Sequence, residues 1–232
     1  MTDAKIRTEP RLTVSKLAEY IEANPLRQRS LLVDQKYPST FIAARYTPAE
    51  NLIKKFLTSN PINVDILSDG LDAINAAPAT TEWESDQNKL CAEAVESFID
   101  VVEEILDMGL VFSSGDNNVP KMPLSGVEIS VRPELLARDQ EKKCFGAVKI
   151  YFSKTYPLKA DGSGLYASTA VYQWLLNHMS PPDGFTHSHK HTFVVDVFAK
   201  TIHRTPAAYK SRMKHLDAAC KTISALWPTL TK

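Results

Sequence analysis

The stretch Gly146-Ala-Val-Lys-Ile-Tyr151 decides the fold. Apolar side chains alternate in it with Lys149 and Tyr151, which is the period-two pattern of a strand with one buried face. The same alternation in Val127-Glu-Ile-Ser-Val131 predicts a second strand, and we expect the two strands to pair. The charged residues 138–143 predict a hairpin-like loop between them.

Helical patterns surround this strand pair. An acidic helix is predicted over residues 83–106, where apolar residues keep helical spacing and Gly109 follows as a terminator. Residues 164–179 and 206–227 predict two further helices, and the apolar run 192–199 predicts a buried strand. The chain is therefore expected to be an α/β (α+β) protein with a small mixed sheet flanked by helices.

The N-terminal part is predicted to be mainly helical. Helices are expected over residues 13–22 and 26–33, and a third runs to residue 57 behind a Thr47-Pro48 start. Residues 37–46 predict an extended segment between them. The predicted division of the chain is a helical N-terminal lobe (1–60), a connection (61–82) that can hold one short helix over residues 64–73, and an α/β core (83–232).

Composition excludes several classes of protein. The chain of 232 residues is 44% hydrophobic and 23% charged, as in ordinary globular proteins. Its three cysteines are far apart and form no CxxC pair, which argues against a disulfide framework and a cysteine zinc site. No apolar run approaches the length of a membrane span, and the first residues are too polar for a signal peptide. We therefore expect a cytoplasmic protein without a membrane partner.

The net charge of zero hides a strong segregation. Residues 61–120 contain 1 Lys or Arg and 13 Asp or Glu, whereas residues 121–232 contain 16 and 8. A basic half beside an acidic segment is typical of a nucleic-acid path next to an acidic cluster. The alternative is that the two parts neutralise each other within the fold.

The order helix, strand, strand, helix, strand resembles the core of the PD-(D/E)XK nuclease superfamily over residues 84–200. In that family an acid on one strand and a D/E-x-K motif on the next hold a divalent metal. Residue by residue, the resemblance places Glu128 or Glu134 at the first acid and Lys149 at the motif lysine. It places a further acid on the preceding helix, at Glu93 or Glu96.

The N-terminal Ser15-Lys-Leu-Ala-Glu-Tyr20 and Asn24-Pro-Leu-Arg27 resemble the opening motif of RecB-type members, with Asn24 where a cysteine ligand often stands. The resemblance implies Mg²⁺ or Mn²⁺ and hydrolysis of phosphodiester bonds in DNA. Ala147, however, stands where the motif acid would be and supplies no oxygen ligand. A neighbouring acid can replace it, or the chain is a non-catalytic module that binds nucleic acid or a protein of a larger assembly.

A histidine cluster offers a different metal site. His187, His189 and His191 alternate, so an extended strand would place all three on one face, a spacing able to hold zinc. The alternative is a solvated loop. Asp196 lies in an apolar run, where a charge needs a partner, so we expect it to face a cleft, a Lys or a His, with Lys149 and His203 as candidates. The alternative is a purely structural ion pair.

Two segments interleave basic and aromatic residues in a way that suits phosphates and stacked bases. The same pattern is also typical of a helix packed on a core. The candidate nucleic-acid contacts are Arg27, Arg29, Lys36 and Arg45, beside Tyr37, Phe41 and Tyr46, and then Arg204, Lys210 and Arg212.

Overall fold

The computed structural model describes residues 6–38 and 45–232. The helices among them are α1 (Val14–Glu22), α2 (Pro25–Lys36), α3 (Thr47–Leu57), α4 (Asp65–Asn75), α5 (Glu82–Leu106), α6 (Ser163–His178) and α7 (Tyr209–Leu226). The strands are β1 (Arg11–Thr13), β2 (Val111–Ser114), β3 (Met122–Leu124), β4 (Val127–Ser130), β5 (Leu135–Asp139), β6 (Cys144–Tyr151), β7 (Thr186–His187), β8 (Phe193–Asp196) and β9 (Thr201–Arg204).

The larger sheet has the strand order β2-β5-β6-β8-β9, and β7 pairs with β6 at its N-terminal end. β5 is antiparallel to both β2 and β6, β8 is parallel to β6, and β9 is antiparallel to β8. Parallel neighbours require a crossover, and α6 lies in the connection from β6 to β8. The predicted α/β class, with mixed sheets flanked by helices, is confirmed.

The predicted pairing of the two central strands is wrong. β4 lies in a separate three-stranded sheet, between β1 and β3, and the partner of β6 is β5. The charged pair Arg138-Asp139, predicted as loop, is the end of β5. The sequence pattern of this segment is misleading because Leu135 and Ala137 are the two buried apolar residues of a short strand, and charged residues stand next to them.

Local signals placed the helices well. α5 begins at a capping box, in which the Thr81 hydroxyl accepts from the Glu84 N–H at 3.1 Å and Glu84 accepts from the Thr81 N–H. α1 is capped by Thr13, whose hydroxyl accepts from the N–H of Lys16. In the part of the chain that is described, no helix has both the length and the apolar composition needed to cross a membrane.

Two hydrophobic cores lie on the two faces of β6. Phe145 and Ala147 face a core shared with α1, α2, α6, α7 and the small sheet. Val148 and Ile150 face the other core, shared with α3, α4 and α5. Described residues of the N-terminal segment enter both cores, and the division into lobe, connection and core stays a prediction.

Candidate functional site

Glu134 and Lys149 meet at the junction of β5 and β6. The N–H of Glu134 donates to the Val148 carbonyl at 2.9 Å, so Glu134 lies beside β6 just before β5 begins. The Lys149 Nζ donates to Glu134 Oε1, and it also donates to the Arg132 carbonyl at 3.0 Å. The side chain of Glu134 is only 1% exposed and that of Lys149 is 15% exposed. The residues at two predicted catalytic positions are therefore in contact.

Both carboxylate oxygens of Glu134 hold protein donors. Oε2 accepts from the N–H of Ile150 at 2.6 Å. Ile150 lies at a level of β6 that the neighbouring strand β5 does not reach, since β5 begins only at Leu135. Oε1 accepts from Lys149 and lies 3.5 Å from the Arg132 guanidinium. Arg132 in turn contacts both oxygens of Glu50 at 3.1 Å. Glu134 is thus the buried end of a chain of alternating charges, which satisfies it without a metal ion.

Ala147 lies next to this pair and is completely buried. Its N–H donates to the Thr192 hydroxyl at 3.3 Å, and its methyl group belongs to the core that contains Phe145. An aspartate or glutamate at this position would place its carboxylate in an apolar site instead of in water. This transfer would cost several kcal/mol unless the carboxylate were paired. Ala147 itself supplies no ligand oxygen.

The other predicted acids are not brought to Glu134. Glu128 lies in the small sheet, where it forms an ion pair with Lys121 at 2.8 Å. Glu93 forms an ion pair with Lys154 at 2.6 Å, and Glu96 is exposed on the same helix, α5. α5 packs against the Val148 face of β6, opposite to Ala147. Within residues 6–38 and 45–232, no group of three His, Cys, Asp or Glu side chains is arranged to hold a metal ion.

The three histidines do not share the face of a strand. Only His187 is extended, and residues 189–191 form a short 3₁₀ helix, so the expected alternation is wrong. Each ring has its own acceptor or donor. His187 Nε2 lies 2.8 Å from the Met179 carbonyl, and His189 Nδ1 lies 3.0 Å from the Thr205 carbonyl.

His191 lies between Asp139 and Ser188. Its Nε2 is 3.2 Å from Asp139 Oδ2, and its Nδ1 is 2.7 Å from the Ser188 hydroxyl oxygen. The N–H of Lys142 donates to Asp139 and holds its pKa at about 2, so Asp139 is an anion that only accepts. Burial lowers the pKa of His191 against the opposing effect of Asp139, so the ring is neutral at pH 7. Nε2 then carries the proton and the Ser188 hydroxyl donates to Nδ1.

Asp196 finds backbone donors rather than a Lys or a His. It is fully buried at the end of β8, and its two oxygens accept from the N–H groups of Leu158 at 2.7 Å and Ala199 at 3.2 Å. Burial raises its pKa against these hydrogen bonds. The expected pairing with Lys149 or His203 is wrong, because the segment between β6 and α6 and the chain reversal after β8 supply backbone donors that no sequence pattern reports.

The residues predicted to contact nucleic acid lie in different parts of the structure, and some of them already contact other groups of the protein. Arg27 Nε donates to Glu19 at 2.9 Å, and the ammonium group of Lys36 donates to the Trp227 carbonyl at 2.7 Å. Arg204 contacts Glu104 at 3.4 Å. The remaining candidates are the exposed Arg29, Arg45 and Lys210 and the half-buried Arg212. Phe41, predicted beside them, lies outside the described residues.

An open cleft of about 270 Å³ lies further along the same face of β6. Tyr151, on the Lys149 side of the strand, forms part of its wall, and the crossover segment Tyr156-Pro-Leu158 forms another part. The guanidinium of Arg27 lies 4.2 Å from the centre of the Tyr156 ring. Local sequence patterns miss this cleft because its walls come from distant segments. The usable signal is the aromatic crossover of a parallel βαβ unit, where ligand sites collect.

No family model matches the chain, and no curated protein matches it. Its function is therefore inferred from side chains and their geometry. The side-chain geometry distinguishes two sites on one face of β6. The Glu134–Lys149 pair is a closed charge network, and the cleft at Tyr151 is an open, largely apolar surface with charged edges.

Proposed function

We propose that this protein is a nuclease-like module that binds nucleic acid without cleaving it. One observation carries the proposal: both oxygens of Glu134 hold protein donors, while the position of the second acid is the buried Ala147. Mg²⁺ needs hard oxygen ligands in near-octahedral geometry, usually one or two carboxylates with water and phosphate. Glu134 would have to give up its bonds to Lys149 and Ile150 to become such a ligand.

The order of elements supports the nuclease-like part of the proposal. α5, β2, β5, β6, α6 and β8 occur in this order along the chain, with β3 and β4 inserted between β2 and β5 and with β7 before β8. The strands β2, β5, β6 and β8 lie side by side in the same order. Pro133-Glu134 stands just before β5 and Lys149 lies opposite on β6, which are the positions implied by the PD-(D/E)XK resemblance. We also propose, as the sequence leads us to expect, that the protein is cytoplasmic.

A basic surface around the histidines supports nucleic-acid binding. We define it by Lys142, Lys190, Arg204 and Lys210. The charges of Lys142 and Arg204 reach His191, where they lower the pKa. Lys190 lies between His189 and His191, and Lys210 follows Tyr209, whose ring stacks on that of His189. Cations grouped in this way attract a phosphate backbone without reading its sequence.

Neither predicted metal site fits the residues present. Both oxygens of Glu134 already hold protein donors, and the histidine rings contact separate protein partners. We therefore propose no step that passes through Mg²⁺, Mn²⁺ or zinc. The contact between Glu134 and Lys149 favours a hydrolase as the second candidate, since a nuclease would also keep these two groups together.

The test measures binding and cleavage together. Purified protein is incubated with single- and double-stranded DNA in Mg²⁺, Mn²⁺ or EDTA, at several salt concentrations. We expect binding that weakens with salt in all three conditions and no cleavage. The Lys190→Ala/Lys210→Ala variant should reduce the salt slope by about 0.9 for each phosphate that the protein no longer neutralises.

The matched control is Lys55→Ala/Lys89→Ala, which removes the same charge from exposed positions on α3 and α5. It should leave binding within about twofold of the original, apart from the small effect of net charge. Metal-dependent cleavage that disappears in Lys149→Ala would favour the hydrolase. Absence of any binding to DNA or RNA would leave a protein partner as the remaining class.

A further inference from the structure

The cleft beside Tyr151 lies where ligands bind in α/β proteins. Tyr151 is the last residue of β6, and Asp196, the last residue of the parallel strand β8, holds the N–H of Leu158 in the cleft wall. Ligands of open α/β sheets collect at the carboxyl ends of parallel strands. The crossover segment is therefore held in place by a fully buried carboxylate rather than left to solvent.

The walls of the cleft are flat and mostly apolar. Tyr151 and Tyr156 contribute rings, and Pro157 and Leu158 contribute aliphatic surface. The Tyr151 hydroxyl donates to the Tyr156 carbonyl at 2.7 Å, which fixes the two segments relative to each other. Burial raises the pKa of Tyr151 to about 12, so this donor is retained at physiological pH. Tyr156 is 39% exposed and can stack on a planar ligand.

The edges of the cleft carry opposite charges. Nε and Nη2 of Arg27 donate to Glu19, and among the described residues this leaves the third nitrogen, Nη1, for an anion. Lys159 lies 3.5 Å from Glu22 and is largely exposed. Glu22 lies against Gly162, where a Cβ would approach its carboxylate to 2.6 Å. The Glu22 carboxylate can accept N–H donors from a ligand.

We infer that this cleft binds one unpaired base of a nucleic-acid strand. The base stacks against Tyr156, its N–H groups donate to Glu22, and its phosphate lies against Arg27 and Lys159. A volume of about 270 Å³ suits a single ring system rather than a dinucleotide. The inference rests on the proposed binding of nucleic acid and adds that the protein prefers single strands.

The test separates the base from the backbone. The probes are fluorescent abasic strands of about 12 nucleotides, alone or with one base at the centre, as DNA and as RNA. We expect the strand with a base to bind at least about tenfold more tightly than the fully abasic strand. Tyr156→Ala should abolish this difference between the two strands.

Two further variants control the result. Leu26→Ala changes an 83% exposed residue next to Arg27 that does not line the cleft, and it should keep the preference for a base. Glu22→Gln should weaken binding of the strand with guanine more than that with adenine, because guanine can donate from the adjacent N1–H and N2–H₂ groups to both carboxylate oxygens, whereas adenine donates only from its N6 amino group. Equal loss for all four bases would overturn the role of Glu22.

The failures of the two proposals are distinguishable. If all strands bind with equal, salt-sensitive affinity and Tyr156→Ala changes nothing, the base-binding cleft is wrong and the nucleic-acid proposal stands. If no strand binds, both are wrong. A melting temperature measured for each variant separates weaker binding by a folded protein from a failure to fold.

Discussion

Lys149 and Tyr151 lie two residues apart on the same face of β6 and have opposite surroundings. The Lys149 ammonium group lies between Glu134 and the Arg132 carbonyl, and the side chain is 15% exposed. Tyr151 borders an open cleft whose neighbour Tyr156 is 39% exposed. A motif identifies residues, but the partners of those residues decide what they can do. The Glu134–Lys149 pair, which the motif identifies, has its partners within the protein. The cleft at Tyr151, which no motif identifies, has surface that a ligand can contact.

The largest effect is expected for Lys149→Met, which tests the closed charge network of Glu134 and Lys149. This variant leaves Glu134 buried without its main cation, and removing one partner of a buried ion pair costs about 3–5 kcal/mol. Urea unfolding monitored by fluorescence should show a loss of that size. The double variant Glu134→Leu/Lys149→Met should recover most of the stability, because no charge is then left unpaired. A loss below about 1 kcal/mol in the single variant would contradict the closed network.

A somewhat smaller loss is expected for Ala147→Asp, which restores the acid of the motif. The new carboxylate enters a fully buried apolar site, and we expect it to destabilise the fold by about 2–4 kcal/mol. Ala147→Val is the control for side-chain size. Unfolding is measured with and without Mg²⁺. A variant that stays stable and gains further stability from Mg²⁺ would show that the closed region can become a metal site.

Acidification should also destabilise the protein, by a smaller amount. Burial lowers the pKa of both His191 and His203 below the unfolded value of about 6.5. Below that pH the unfolded chain binds more protons than the folded chain, so stability falls as the pH decreases. We expect a lower Tm at about pH 5.5 than at about pH 7.5.

His203→Phe tests this origin, because it keeps a ring against Gly164 and removes the titrating group. The variant should lose part of the pH dependence. His215→Gln, at an exposed position, is the control for removing a histidine. An unchanged pH profile in His203→Phe would assign the effect to other groups.

The smallest effect on stability belongs to the open cleft. Tyr156→Ala removes a ring that is 39% exposed, and we expect a change within about 0.5 kcal/mol. Urea unfolding measures it beside Lys149→Met. A loss comparable to that of Lys149→Met would mean that Tyr156 supports the fold and would remove the contrast between the two regions.

Much of the helical structure could be predicted from local chemistry. The capping box of Thr81 and Glu84 marks the start of α5, and the predicted start at residue 83 differs by one residue from Glu82. The side-chain positions of the candidate site were harder to predict. The resemblance left Glu128 and Glu134 as alternatives for the first acid, and of the two only Glu134 lies in contact with Lys149.

The amino-acid sequence by itself determined the helices, the strand at β6 and the presence of an acid and a lysine at motif positions. These features depend on periodicity, caps and neighbours within a few residues. Only the tertiary structure decided that β5 is the partner of β6, that Glu134 is internally satisfied and that Arg27 meets Tyr156 across a cleft. Strand partners and clefts depend on packing between residues far apart in the chain, and a local pattern contains no record of that packing.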